Sequence, residues 1–229
     1  MGAFPNFVVM NALSFTEENY LKSIFFLSRP GTKMVSTNAL AERLQTRAAT
    51  VTDMLRRLSD KDLIEYKPYK GAQLTEAGQQ RAVAILRKHR LWETFLVEKL
   101  AFGWEEVHEI AEQLEHIQST ALTERLATFL GHPNYDPHGD PIPDAQGVFP
   151  KRANLTLDQV KAGQRLVVKG VKDSSTEFLR YIRKAGIGLG DELTVKDIER
   201  FDGSLQVMHH GKSLMLSAIA ASNIYVKEL

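Results

Sequence analysis

Cysteine is absent from the 229 residues. That excludes disulfide bonds, thiolate zinc fingers and thiol nucleophiles, and it fits a reducing compartment. A charge bias is also missing: 29 Lys and Arg stand against 28 Asp and Glu. No global basic field can draw in nucleic acid, so any such binding must come from a local patch. Nor does any stretch approach the roughly 18 consecutive apolar residues of a membrane span. The opening "MGAFPNFVVMNALSF" is apolar, but it is too short to cross a bilayer and has no basic n-region. No internal repeat or low-complexity segment is present. The expectation is a cytoplasmic protein with no membrane partner, long enough for one large domain or two smaller ones.

What is there falls into three textures. Residues 14–130 are mainly helical. Ser14 and Glu17 make a capping-box pair at a helix start, and Tyr20, Leu21, Ile24, Phe25 and Leu27 follow at helical spacing. "RPGTK" (29–33) breaks that helix. Two short amphipathic helices follow, "TNALAERL" and "AATVTDMLRRLSDKDL", separated by "QTR". "LIEYKPYKGAQLT" reads as a hairpin around Pro68 and Gly71, and Thr75 caps a long helix running to about Leu100. After Gly103 come a helix over "VHEIAEQLEH" and a last one ending near Gly131. The next texture, "GHPNYDPHGDPIPDAQGVFP" (131–150), has five prolines, which makes it a linker or an ordered irregular loop. Beyond it "GQRLVVKGV", "DELTVKDI", "SLQVMHH", "SLMLSA" and "NIYVKEL" are short β runs, with one helical piece, "STEFLRYIRKAG". Five short strands with tight turns suggest a small β-barrel.

Helix, short turn, helix and basic hairpin is the order of a winged helix-turn-helix, whose second helix enters the DNA major groove. Val51, Leu55 and Leu58 can face a core, leaving Arg47, Ala49, Thr50, Thr52 and Asp53 outward at the leading end. Thr can bond a base edge or a phosphate, and Ala can touch a thymine methyl. Arg56, Arg57 and the hairpin residues Lys67 and Lys70 suit phosphates. The bland alternative is a helical subdomain whose basic residues are merely solvated.

In "VHEIAEQLEH", His108, Glu112, Glu115 and His116 share a stripe about 100° wide on an ideal helix. Val107, Ile110, Ala111, Leu114 and Ile117 take the opposite side. Upstream, in "RKHRLWETF", His89 and Glu93 are four apart and share a helix face. Packed as an antiparallel pair, the two helices offer His89, Glu93 and His108 for one ion, and Glu112, Glu115 and His116 for a second. Imidazole and carboxylate without thiolate suit Mn²⁺, Fe²⁺ or Zn²⁺. The bland reading of such residues is a solvated polar face. His132, His138 and the pair His209–His210 have no partner at ligand spacing and are expected to be ordinary surface residues.

These residues carry a resemblance. "LRKHRLWETFL…VHEIAEQLEH" resembles the metal-ligand region of the diphtheria toxin repressor family of iron- and manganese-dependent repressors. "TEENYLKSIFFL" and "LTEAGQQRA" are similar to its first and post-wing helices, and "DELTV…HHGKSLMLSAIAASNIYVKEL" to its SH3-like domain. The resemblance implies a mainly α fold: a winged helix-turn-helix domain (1–75), a helical metal-binding and dimerisation domain (76–140), a linker (141–154) and an SH3-like, FeoA-like β-barrel (155–229). It places the family's ancillary site on His89, Glu93 and His108. The primary site falls on Glu112, Glu115 and His116, completed by Asn19, where the family has Asp or Met. Iron-type members have Cys at the Glu112 position and manganese-type members have Glu, which favours Mn²⁺ over Fe²⁺. Zn²⁺ is a further occupant in vitro. Lys22 stands where manganese-type members have a carboxylate. The SH3-like domain of iron-type members adds ligands, and Glu177 is the residue here that could serve.

The implied function is a homodimeric, metal-dependent repressor that binds double-stranded operator DNA and controls metal homeostasis, not an enzyme. Trp92, Phe95, Leu96, Leu100 and Phe102 could supply a dimer face. Two rivals stay open on the residues alone. One is a dinuclear metalloenzyme, because His- and carboxylate-bound ion pairs also make hydrolases. The other is a metal-independent winged-helix regulator.

Overall fold

The first helix, α1 (Phe15–Leu27), begins at a complete capping box. The Ser14 hydroxyl accepts from the Glu17 amide, and the Glu17 carboxylate accepts from the Ser14 amide at 2.9 Å. It belongs to a computed structural model that describes residues 13–28, 34–151 and 155–229. The opening segment before Leu13, the "RPGTK" break and residues 152–154 of the expected linker lie outside the described residues. Contacts divide the chain into two compact units. One runs up to Leu86 and includes His116–Thr120; the other comprises Arg87–Glu115 and Ala121–Leu229.

In the first unit α2 (Thr37–Arg43) and α3 (Ala48–Asp60) form the helix-turn-helix, with Ser36 capping α2. The sequence expects α3 to continue to Leu63. It stops at Asp60 because Asp62 turns into the left-handed region at φ +55°. Strands β1 (Ile64–Lys67) and β2 (Gly71–Leu74) then pair antiparallel as the wing, Ile64 against Leu74 and Lys67 against Gly71. Val35 bridges to Ala72. Gly71 has φ +110°, and a Cβ there would lie 2.2 Å from the Val35 carbonyl, so the close approach of these two backbones requires glycine. Leu21, Ile24, Leu40, Val51, Leu55 and Leu58 are fully buried together. Each stabilises the unit by roughly 2 kcal/mol.

Helix α4 (Glu76–Leu100) starts in this unit, with the Thr75 hydroxyl accepting from the Gly78 amide, and ends in the second. The second unit adds α5 (Val107–Leu114) and α6 (Thr120–Phe129), the latter beginning one residue before it. Leu91, Leu126, Ala127 and Ile142 form one small core, and Leu96, Val107 and Ala111 another. Residues 131–151 are an irregular but bonded loop. Asp136 accepts from the amides of His138 and Asp140, and Asp144 from those of Gln146 and Val148.

The C-terminal segment is SH3-like. It contains β3 (Arg165–Val171), α7 (Thr176–Lys184), β4 (Glu192–Ile198), β5 (Leu205–His209), β6 (Lys212–Leu216), α8 (Ala218–Ala221) and β7 (Ile224–Glu228). The strands form one antiparallel sheet in the order β6-β5-β4-β3-β7. Alternate residues such as Leu166, Val168, Leu193, Val195, Leu205 and Val207 fill its core, with Trp104 packed against it. The loop meets β3 at a two-glycine contact. Gly139 (φ +82°) and Gly170 (φ +152°) leave no room for a side chain on either, and the Val171 amide donates to the His138 carbonyl at 2.8 Å. Among the described residues no helix is long and apolar enough to cross a membrane.

Candidate metal centre and nucleic-acid interface

Helix α4 projects His89 and Glu93 one turn apart, and α5 brings His108 to them. His89 Nε2 lies 3.0 Å from Glu93 Oε1 and 3.1 Å from His108 Nδ1, and His108 Nδ1 lies 3.3 Å from the same Glu93 oxygen. In an octahedral site with bonds of roughly 2.2 Å, neighbouring ligand atoms stand ~3.1 Å apart. The triangle therefore has the right size for a divalent cation, and two imidazoles with one carboxylate supply the right donors. His89 Nδ1 sits 2.6 Å from Glu115 Oε2, so its hydrogen is held there and Nε2 is left to the triangle. His89, Glu93 and Glu115 are buried, whereas the His108 side chain is 64% exposed and opens the group to solvent.

Burial by itself would lower the His89 pKa. Hydrogen bonds to Glu115 and Glu93 overcome this and hold it at about 9. Burial would raise Glu93, but the imidazoles of His108, His138 and His89 around it keep its carboxyl well below the usual range. Asp136 is pushed up to about 7, first by burial and then by the charges of Glu93 and Asp140. The cluster is thus crowded with carboxylates whose neutralising partners are protonated imidazoles, sites a metal ion can take over.

The expected single stripe on the second helix does not persist. Helix α5 ends at Leu114, with Glu115 as its C-cap still in the α-helical region and its amide donating to the Ala111 carbonyl at 2.8 Å, and a turn follows through His116. Glu112 stays exposed on α5, with Oε1 3.6 Å from His108 Nε2, and Ile117, expected on the apolar side, is 39% exposed. Glu115 is turned to His89. His116 belongs to the first unit, where Nδ1 lies 2.5 Å from Glu18 Oε2 and the ring stacks on Phe15. Gln118 donates to the other Glu18 oxygen at 2.6 Å. The neighbouring Asn19 Oδ1 is buried with no hydrogen-bond partner, an oxygen lone pair suited to a cation. Glu177 is exposed in the first turn of α7 and lies outside the group formed by His89, Glu93 and His108.

The sequence reading missed several participants. His138 is not a surface residue: it is 5% exposed, with Nε2 donating to the Trp104 carbonyl at 2.7 Å. Its Nδ1 stands 3.7 Å from Glu93 Oε2, an ion-pair contact on the oxygen that His89 does not use. Its pKa is held at about 9: burial lowers it, and Glu93 more than compensates. Asp136, Glu93 and His138 form a second group of convergent donors, with Arg90 near Asp136 at 3.5 Å. His209 is likewise buried against Asp191, while His132 is exposed as expected. No spacing rule could reveal His138, because its partners are 34 and 45 residues away. Glu18 carried a signal only in standing beside Asn19.

On the first unit Arg47, Ala49, Thr50, Asp53, Arg56 and Arg57 are exposed along the leading part of α3, and Lys67 and Lys70 are exposed on the wing. Asp53 lies 3.6 Å from Arg56 and offsets part of its charge. Thr52 is half-buried, and its hydroxyl donates to the Ala48 carbonyl at 3.0 Å, leaving it only acceptor capacity. Tyr69, unremarked in the sequence, stands fully exposed at the wing tip with φ +64°.

Comparison with known proteins agrees with this layout. Residues 12–72 match the family "Iron dependent repressor, N-terminal DNA binding domain", and residues 75–144 match "Iron dependent repressor, metal binding and dimerisation domain". Residues 155–228 match the FeoA domain. The chain is 36% identical over 166 residues to the iron-dependent repressor IdeR of Mycobacterium tuberculosis, covering 69% of this chain and 72% of that protein. It is 29% identical over 230 residues to the diphtheria toxin repressor of Corynebacterium diphtheriae, covering 96% and 100%. A solved manganese-dependent transcriptional repressor in complex with manganese superposes with a TM-score of 0.78 at 37% identity, covering 93% of this chain and all of that one.

Proposed function

This chain belongs to the iron-dependent repressor family and is a metal-dependent, DNA-binding transcriptional repressor; we propose that Mn²⁺ or Fe²⁺ activates it through His89, Glu93 and His108. The observation that carries this reading is the triangle of donor atoms at 3.0, 3.1 and 3.3 Å, contributed by two helices. A divalent cation, when bound, supplies positive charge and fixed bond directions to that triangle. Glu115 orients His89, and His138 faces the second oxygen of Glu93. Glu112, Glu115 and His116 would serve a further ion, Asn19 would add an amide oxygen to them, and Glu177 would add a carboxylate from the SH3-like segment. With Glu112 in place of a thiolate, Mn²⁺ is favoured over Fe²⁺, and Zn²⁺ would fit in vitro.

Arg47, Ala49, Thr50 and Asp53 meet base edges in the major groove of operator DNA, Thr52 adding an acceptor. Arg56, Arg57, Lys67 and Lys70 meet phosphates. The protein acts as a cytoplasmic homodimer. Leu100, Phe102, Leu122 and Phe129 are large apolar side chains left exposed beside the metal-binding helices, and a second copy would cover them. The domain boundaries follow at 75, 140 and 154. The family is one of transcriptional repressors, so no turnover is proposed.

By linkage, metal and operator raise each other's affinity, on the order of 10–100-fold for couplings of this kind. Fluorescence anisotropy of labelled operator DNA, with Mn²⁺ and then with chelator, tests this. Binding that tightens at least tenfold with metal supports it, and equal affinity in both conditions overturns metal control.

A further inference from the structure

We infer that the SH3-like segment carries a cation site of its own, formed by Asp191, His209 and His210 and separate from the metal centre above. One ligand atom from each of the three residues lies within 4.8 Å of the other two. His209 closes β5 and points inward, 5% exposed, with Nε2 2.9 Å from Asp191 Oδ2. The Gly188 amide donates to that same oxygen at 2.7 Å, which fixes the carboxylate. Asp191 Oδ1 faces His210 Nε2 at 3.8 Å, beyond hydrogen-bond reach. A shared ion with bonds of about 2.1 Å holds its ligands roughly 3.0–4.2 Å apart, so this gap is one that an ion spans and a proton does not.

The turn makes the placement of His210 informative. His210 and Gly211 link β5 to β6 with φ +46° and +77°, a two-residue turn in which Asn-Gly or Asp-Gly is the ordinary pair. His210 holds the left-handed region with its side chain 75% exposed. Its ring nevertheless lies over His209, with centroids 4.1 Å apart.

A cleft of about 450 Å³ opens beside the group, lined by Asp191, Glu192, Thr194, Met208, His210 and Arg165. Arg165 is the cationic group in that lining, and it is paired with Glu192 at 3.0 Å. Lys212 opposes His209 across the ladder and is exposed. Asp191 is thus the fixed negative charge available to a cation.

Two imidazoles and one carboxylate with an open face suit a borderline divalent ion. Zn²⁺, Co²⁺ and Ni²⁺ are held more tightly than Mn²⁺ by such donors. The site therefore answers to different metals from a centre tuned to Mn²⁺, and it does not rest on the repressor reading.

The test uses tag-free, full-length protein stripped of metal. Zn²⁺ stoichiometry by equilibrium dialysis and the visible absorption of Co²⁺ are compared between wild type and His210→Asn. Asparagine suits the turn, so the fold is retained while one ligand is lost. Asp191→Asn is the second variant. The expected result is one fewer Zn²⁺ equivalent, or at least a tenfold weaker third binding step, in both variants, with Mn²⁺-dependent operator binding within twofold of wild type. Wild-type stoichiometry and an unchanged Co²⁺ spectrum in His210→Asn overturn the site. Loss of operator response in wild type, with the His210-sensitive equivalent still present, defeats the repressor reading and leaves this one standing.

Discussion

Replacing His138 with alanine should destabilise the metal-free protein by about 3 kcal/mol. The Trp104 carbonyl loses the donor at 2.7 Å, worth about 1 kcal/mol for a buried hydrogen bond. Glu93, 3% exposed, loses a cationic neighbour at 3.7 Å, worth about 1 kcal/mol after desolvation is offset. The vacated ring, itself only 5% exposed, leaves a void that adds about 1 kcal/mol. For a chain of this size each kcal/mol moves the melting temperature by about 2–4 °C, so the expected drop is about 6–12 °C. Scanning calorimetry in chelator, on wild type and His138→Ala, measures it. Isothermal titration with Mn²⁺ should also show about tenfold weaker binding, because Glu93 is no longer held from its second oxygen. A drop under 2 °C together with unchanged Mn²⁺ affinity would refute the reasoning, since His138 would then be a bystander to the cluster.

Other substitutions probe other parts. Glu93→Gln removes the carboxylate shared by the donor triangle, and Mn²⁺ affinity at that site should fall by at least about 100-fold in calorimetric titration; an unchanged constant counts against the assignment. Arg57→Ala should weaken operator and random-sequence DNA alike and lower the slope of log affinity against log salt by about one; a sequence-selective loss would mean a base contact instead. Gly71→Ala forces a methyl onto the Val35 carbonyl at positive φ, so the first unit should lose about 2–4 kcal/mol in denaturant melts. Ser14→Ala breaks the capping box and should cost about 1 kcal/mol by the same assay, with an effect below 0.3 kcal/mol denying the cap any role.

Most of the fold was legible because hydrophobic period and turn residues are local signals. The wing, the capping box at Ser14 and the five β runs of the SH3-like segment all stand where alternation and breakers put them. The donor triangle was legible for the same reason: His89 and Glu93 share a helix face, and only one packing assumption brings His108 to them. The end of α5 was not legible. An ideal helix carried through His116 keeps four polar residues on one side, but the helix closes at Leu114 with Glu115 as its cap, and the side chains part, Glu115 to His89 and His116 to Glu18. Asn19 and Glu18 show the limit of position matching. Adjacent residues on a helix point about 100° apart, so the neighbour of the matched position carries the carboxylate that reaches His116. His138 and His209 were misjudged because burial by a loop or a strand end leaves no periodic trace.

The seam between Gly139 and Gly170 bears on how this chain would behave if it were cut. The amide of Val171 and the indole of Trp104 reach across the same boundary, so the β segment is fastened by contacts that do not depend on an unbroken backbone. A protease acting between residues 151 and 155 should yield two fragments that co-migrate under native conditions and separate only in denaturant. The molecule would then behave as a split protein, and its C-terminal fragment would remain docked instead of drifting free like a bead on a string.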